Sequence, residues 1–172
     1  MPVLQNLLAM LFLKSAPQDL PYSPRLGLQL AVFYVISGVF ILQTTLNPDD
    51  IYSGVILGFV VQTIYTYGVL SALNKKARFL QTFCALLGVG ILFNLFTWPV
   101  FYVLADSASL DSAKTSMSLL FLLIISWEVL VKAHIFRHAL EMKMFGALAL
   151  SFSLFFISVA LSQLLLPAAS GS

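Results

Sequence analysis

Charge is what this sequence has least of. Nine Lys/Arg and seven Asp/Glu among 172 residues make up 9% of the chain, against roughly 25% in soluble domains. A soluble fold of this size needs a charged skin, because its surface is large relative to its volume. A water-soluble globular domain is therefore excluded. The formal net charge of +2 is too small to imply a nucleic-acid partner. The single cysteine, Cys84, has no second thiol to pair with and lies in an apolar run, where it packs as a small hydrophobe.

Catalytic signatures are missing as well. The chain has no GxSxG elbow, no Ser/His/Asp spacing and no Gly-rich phosphate loop, so neither an enzymatic activity nor a cofactor is predicted. His134, His138 and Glu141 follow at i, i+4 and i+7 and share one helical face, which is a spacing that metal ligands use. Three or four convergent ligands and a second shell are needed, however, and these are the chain's only histidines. Ile135 also occupies the place of the catalytic Glu in an HExxH motif. The expectation is a solvated or headgroup-facing helix surface, with no metal.

What the chain has in abundance is apolar length, with 60% hydrophobic residues and a mean hydropathy of +0.97. An all-α polytopic membrane protein is predicted, with five transmembrane helices behind a short N-terminal amphipathic helix. Val3 to Leu13 is about half the roughly 20 residues needed to cross a bilayer core. Val3, Leu4, Leu7, Leu8 and Leu11 fall at helical spacing, which suits a helix lying among headgroups or one packed on the bundle. Residues 1–23 thus form an interfacial segment and a linker broken by Pro17 and Pro21.

Residues 24–167 form the membrane domain, with spans at about 24–46, 48–74, 79–105, 115–134 and 144–166. Ser23-Pro24 is an N-cap followed by proline at the first helical position, and Asn47-Pro48 repeats the signal. Lys75, Lys76 and Arg78 close the second span. Pro99 removes a backbone donor in the third span and clashes with the Leu95 carbonyl, predicting a kink or irregular turn after Phe96. The fourth span loses apolar character at Lys132 and continues as helix toward Arg137–Lys143. Pro167 stops the fifth, and residues 168–172 read as a flexible tail or an expression remnant.

The basic residues provide an independent test of this topology. Lys14, Arg25, Lys75, Lys76, Arg78, Lys132, Arg137 and Lys143 all fall on one side, leaving Lys114 on the other. Asp49, Asp50, Asp106 and Asp111 gather opposite the basic cluster. The positive-inside rule then predicts a cytoplasmic N-terminus and a periplasmic C-terminus, in a bacterial inner membrane.

Small residues recur at Gly54 and Gly58 in the second span and at Cys84 and Gly88 in the third, a pattern predicting close helix packing. Gln43, Gln62, Tyr65, Gln81, Asn94 and Glu128 are polar groups inside spans, and each needs a partner there. Glu128 precedes Lys132 by one turn, the favourable order for an ion pair, and Trp127 beside it suits the interface.

The short N-terminal segment, the five spans, the basic connection after the second and Arg78-Phe79-Leu80-Gln81-Thr82 leading a Pro-containing third span resemble the Yip family of membrane proteins. So does Trp127 in span four, with a basic, Ala-containing exit around Ala139. The likeness runs roughly from Pro24 to Leu166. The acidic and aromatic arm of the family's eukaryotic branch has no counterpart beyond Asp19-Leu20-Pro21-Tyr22, so no GTPase partner is implied. Membership implies a non-enzymatic protein acting through protein or lipid contacts.

Two functions are expected from these features. The first is a non-catalytic accessory, assembly or scaffold subunit. It would have a membrane-protein partner or form a homo-oligomer, and anionic lipid would meet Lys75, Lys76, Arg78, Lys132, Arg137 and Lys143. The second is a small oligomeric channel or transporter with Glu128, Asn94 and Gln62 along a polar path.

Overall fold

The computed structural model describes residues 2–43, 48–106 and 110–165. The expected N-cap Asn47, the stop at Pro167 and the tail at 168–172 lie outside the described residues. Within them are six α-helices and no strand: α1 (Pro2–Leu11), α2 (Pro24–Leu42), α3 (Pro48–Ala72), α4 (Phe79–Ala105), α5 (Asp111–Leu140) and α6 (Met144–Leu165). Short 3-10 turns at Pro17–Asp19 and Lys76–Arg78 join α1 to α2 and α3 to α4.

Local chemistry accounts for the boundaries. Ser23 Oγ accepts from the Leu26 amide at 3.4 Å and Pro24 opens α2, as the sequence predicts. Asn74 ends α3 and Glu141 caps α5 in left-handed conformation, each with φ of 56°. Helix α5 starts at Asp111, four residues earlier than predicted, and its extension to Leu140 follows the predicted continuation past Lys132. The irregular turn expected after Phe96 is absent, and α4 remains helical through Pro99. Thr97 Oγ donates to the Phe93 and Asn94 carbonyls there.

Helices α2 to α6 are each long and apolar enough to cross a membrane. Their outer faces carry large apolar side chains with nothing of the protein over them, including Leu28, Val32, Phe33 and Ile36 on α2 and Leu119, Leu122 and Leu123 on α5. Apolar stripes on every span are untenable in water and are the surface lipid requires. The chain is an integral membrane protein.

The spans pack in the order α2, α4, α5, α6, α3 and back to α2, a closed ring of five. Helices α3 and α4 also touch across one corner, through Tyr67 against Phe79 and Phe59 against Phe83. Tight packing is concentrated toward the end bearing the basic residues. There Cys84 to Leu87 and Val89 on α4, and Val131, Ala133, Ile135 and Phe136 on α5, are fully buried.

Helix α1 is part of that plug. Leu7, Met10 and Leu11 are buried against α4 and α5, whereas Leu4 and Leu8 face outward. Of the two placements the sequence allows, the helix takes the one on the bundle. Trp127 Nε1 donates to the Leu11 carbonyl at 3.1 Å, and His134 Nε2 lies 3.0 Å from the Ser15 carbonyl. Asn6 Nδ2 donates to the Asp19 carbonyl and Gln81 Nε2 to the Leu20 carbonyl, both at 2.8 Å, so the segment is tied down along its length.

Candidate functional site

A ring of five helices leaves space at its centre wherever the inward side chains are small. On α3 those positions are Gly54 and Gly58, followed by Gln62 at the same four-residue step, so all three lie along one face. They line cavities inside the ring. A Cβ built on Gly58 meets nothing within 4 Å. The expected packing seam at Gly58 is therefore corrected: the missing side chain makes room rather than contact. The second pair of small residues faces α1 and α2. A Cβ on Gly88 would lie 2.5 Å from Leu7 Cδ2, and one on Gly27 would lie 3.6 Å from Cys84 Sγ, so both helices pack against the pair.

The larger cavity, about 280 Å³, is lined from all five spans, by Tyr34, Gly38 and Ile41, by Gly54, Val55 and Gly58, by Asn94, Thr97 and Phe101, by Phe121, Ile125 and Glu128, and by Phe155. Adjoining it is a chamber of about 160 Å³ whose wall includes Gln62, Lys132, Ser151 and Ser158. Tyr34, Gly58, Glu128 and Phe155 border both. The three residues predicted for a polar path, Asn94, Glu128 and Gln62, come from α4, α5 and α3 and are brought together here.

Lys132 Nζ lies 2.6 Å from Glu128 Oε1, with the side chains 17% and 27% exposed. This is the predicted ion pair. At about 1.5 Å of rise per residue, Glu128 is about 18 Å along α5 from its Leu140 end, and both side chains line the interior of the ring. Trp127 is turned to the Leu11 carbonyl, and Lys132 lines the chamber. Opposite charges one turn apart leave the chamber with no net charge. A lone Lys in its place would be far costlier to bury.

Gln62 is 4% exposed, and its Nε2 has no hydrogen-bond partner among the described residues. An unmet buried amide costs about 1–3 kcal/mol. Ser151 Oγ donates to the Val129 carbonyl at 2.7 Å, which leaves its oxygen free to accept. Asn94 Nδ2 donates to Ser37 Oγ at 2.9 Å, and Ser37 Oγ donates to the Tyr34 carbonyl at 2.9 Å, holding α4 against α2. Tyr34, Ser37, Ser151, Ser158 and Phe155 were not distinguishable in the sequence. The readable signal was the step from Gly54 through Gly58 to Gln62, two gaps followed by a polar group on one face.

At the basic end, Glu141 accepts from Lys75 Nζ at 2.6 Å and from Arg78 Nη2. Arg78 Nη1 also donates to the His138 and Ala139 carbonyls, at 3.3 and 3.0 Å. The Lys75 and Arg78 hydrogen bonds hold the Glu141 carboxyl down at about 2. Asp19 is held below the usual carboxylate range by the Ala16 amide and then by Ser15 Oγ, each donating at 2.8 Å. The His134 and His138 rings are 4.5 Å apart, but Glu141 is turned away to the cations. Among the described residues no three His, Cys, Asp or Glu side chains converge on one point. His134 is buried rather than on the predicted solvated surface, because the segment after α1 covers it. Of the predicted basic face, Lys76, Arg137 and Lys143 are exposed, Lys75 and Arg78 are paired with Glu141, and Lys132 is inside.

No family model matches the chain, and neither does any curated protein or solved structure.

Proposed function

We propose that the protein binds and passes a small solute through the central cavity, as a channel or carrier subunit of the membrane. The observation that carries this reading is the convergence of Asn94, Glu128 and Gln62, from three different spans, on adjoining cavities at mid-depth. Ionisable groups are expensive in a bilayer and accumulate where a substrate or proton must pass. An odd number of spans does not divide into two repeats, so a carrier of this kind works as an oligomer. The test is a Gly58→Cys variant in a Cys84→Ala background, treated with a small water-soluble thiosulfonate. Rapid labelling supports an aqueous cavity, and complete protection removes the reading.

A second reading is favoured by the opposite observation, an exposed basic collar. Lys14, Arg25, Lys76, Arg137 and Lys143 surround one end of the bundle, exposed and without a carboxylate partner among the described residues. Such a collar suits anionic headgroups or an acidic partner surface on the cytoplasmic side of a bacterial inner membrane, with the C-terminus periplasmic. That is how a Yip-like accessory or assembly subunit would act, and it requires no enzymatic step. Neutralising Arg137 and Lys143 together should strip anionic lipid or a partner from the purified protein without altering its topology.

A further inference from the structure

The inner chamber has an unusual hydrogen-bond inventory. Lys132 gives one proton to Glu128 and has two more to offer. Gln62 Nε2 has two N–H groups and no acceptor among the described residues, although the side chain is 4% exposed. Residues with acceptors lining the same space are Glu128, with a second carboxylate oxygen, Ser151, whose own proton is used on the Val129 carbonyl, and Tyr34 and Ser158 with their hydroxyls. The walls thus present a cation with spare donors, an anion with a spare oxygen, and an amide that needs an acceptor.

Electrostatics narrows what fits. The Glu128–Lys132 pair is neutral, and adding a net charge beside it leaves that charge uncompensated in a low-dielectric setting. The occupant is therefore neutral overall. It must bring an acceptor for Gln62, and a neutral hydrocarbon brings none. An uncharged polar solute meets those two conditions but leaves both charged walls with only each other, whereas a zwitterion also answers the pair: its carboxylate accepts from Lys132 and Gln62 while its ammonium donates to Glu128, so that the four charges alternate in sign.

Past Tyr34, Gly58, Glu128 and Phe155, which border both spaces, the larger cavity is walled mainly by Ile41, Val55, Phe101, Phe121 and Ile125. An apolar substituent on the zwitterion would be accommodated there. We propose that the two cavities form one site for an α-amino acid with an apolar side chain, its charged end on Gln62, Glu128 and Lys132 and its side chain in the larger space. This deepens the solute-binding reading and rests on it.

The experiment uses the full chain in lipid nanodiscs with L-leucine as probe, and reads thermal stabilisation and calorimetric binding. Decanoate and 1,4-diaminobutane serve as charged comparisons. Saturable binding of leucine alone is expected, weakened about tenfold or more by Gln62→Leu, which removes roughly one charge-assisted hydrogen bond. Gly58→Leu places its Cβ in open space, and should abolish leucine binding while glycine, lacking a side chain, still binds. Selective survival of glycine is a result that mere misfolding does not produce. If the Gly58→Cys site labels but leucine does not bind, the amino-acid assignment is overturned while the solute cavity stands. Decanoate or the diamine binding in leucine's place overturns it equally. If Gly58→Cys is also protected, both readings fall.

Discussion

Leu7 occupies the space that a side chain on Gly88 would need: a Cβ there would lie 2.5 Å from Leu7 Cδ2 and 2.6 Å from Cδ1. The contact joins the first helix of the chain to the middle of α4, so α1 is a structural member of the bundle rather than a float on its surface. Gly88→Val should therefore expel α1, at a cost of about 1–3 kcal/mol for overpacking. Limited trypsinolysis would detect the change as faster cleavage at Lys14. Adding Leu7→Ala to the same protein should restore resistance, and cleavage unchanged in Gly88→Val would contradict the packing.

Glu128→Gln leaves the Lys132 cation without its carboxylate deep in the bundle. Breaking a buried pair from one side costs about 3–5 kcal/mol, and the partial exposure here places the expected loss near the lower limit, about 3 kcal/mol. Combined Glu128→Gln and Lys132→Met should recover most of it. Unfolding titrations of the three variants provide the comparison; a single variant as stable as the parent would contradict the pairing.

The Glu141 carboxyl at about 2 carries a pH signature. Its folded value lies below its ordinary 4.5, so the clamp to Lys75 and Arg78 stabilises the fold fully above pH 4.5 and loses that contribution as pH falls toward 2. Glu141→Gln should lower the melting temperature at pH 7. The difference from the parent should shrink steadily below pH 4.5, and a constant difference down to pH 3 would disprove the linkage.

Ala77 and Ser112 are exposed at opposite ends of the ring, beside the Lys76–Arg78 turn and in the first turn of α5. In a Cys84→Ala background, a cysteine at Ser112 should react with an impermeant maleimide on intact cells, and one at Ala77 only after permeabilisation. Equal labelling of both from outside would refute the span count between them.

The spans were legible because their punctuation is local. Ser23-Pro24 and the Lys75–Arg78 run act within a turn of their own positions, and the structure places boundaries at both. Features set by tertiary contact were not legible. Leu4 and Leu8 carry the same apolar periodicity as Leu7 and Leu11, yet the first two face outward and the last two are buried. Which face meets protein depends on the gap at Gly88, eighty-one positions away by the numbering. Lys132 reads as the start of a basic exit because its neighbours do, and only the ring around it reveals that its side chain turns inward. A glycine in a span signals close approach or emptiness equally well, and Gly88 and Gly58 realise one each.

The ring is not visited in chain order. Helices α3 and α4 are consecutive in sequence but lie on either side of α2, so the Lys76–Arg78 turn is a chord drawn across one end of the ring. Arg78 fastens that chord to the α5–α6 hairpin through Glu141 and the His138 and Ala139 carbonyls. A chord of three residues sets a fixed width. The perimeter at the basic end cannot expand while the turn stays wound and the clamp is closed. A three-residue connection and one carboxylate thus act together as a hoop around the basic end, and any widening there requires Arg78 to let go of the α5–α6 hairpin.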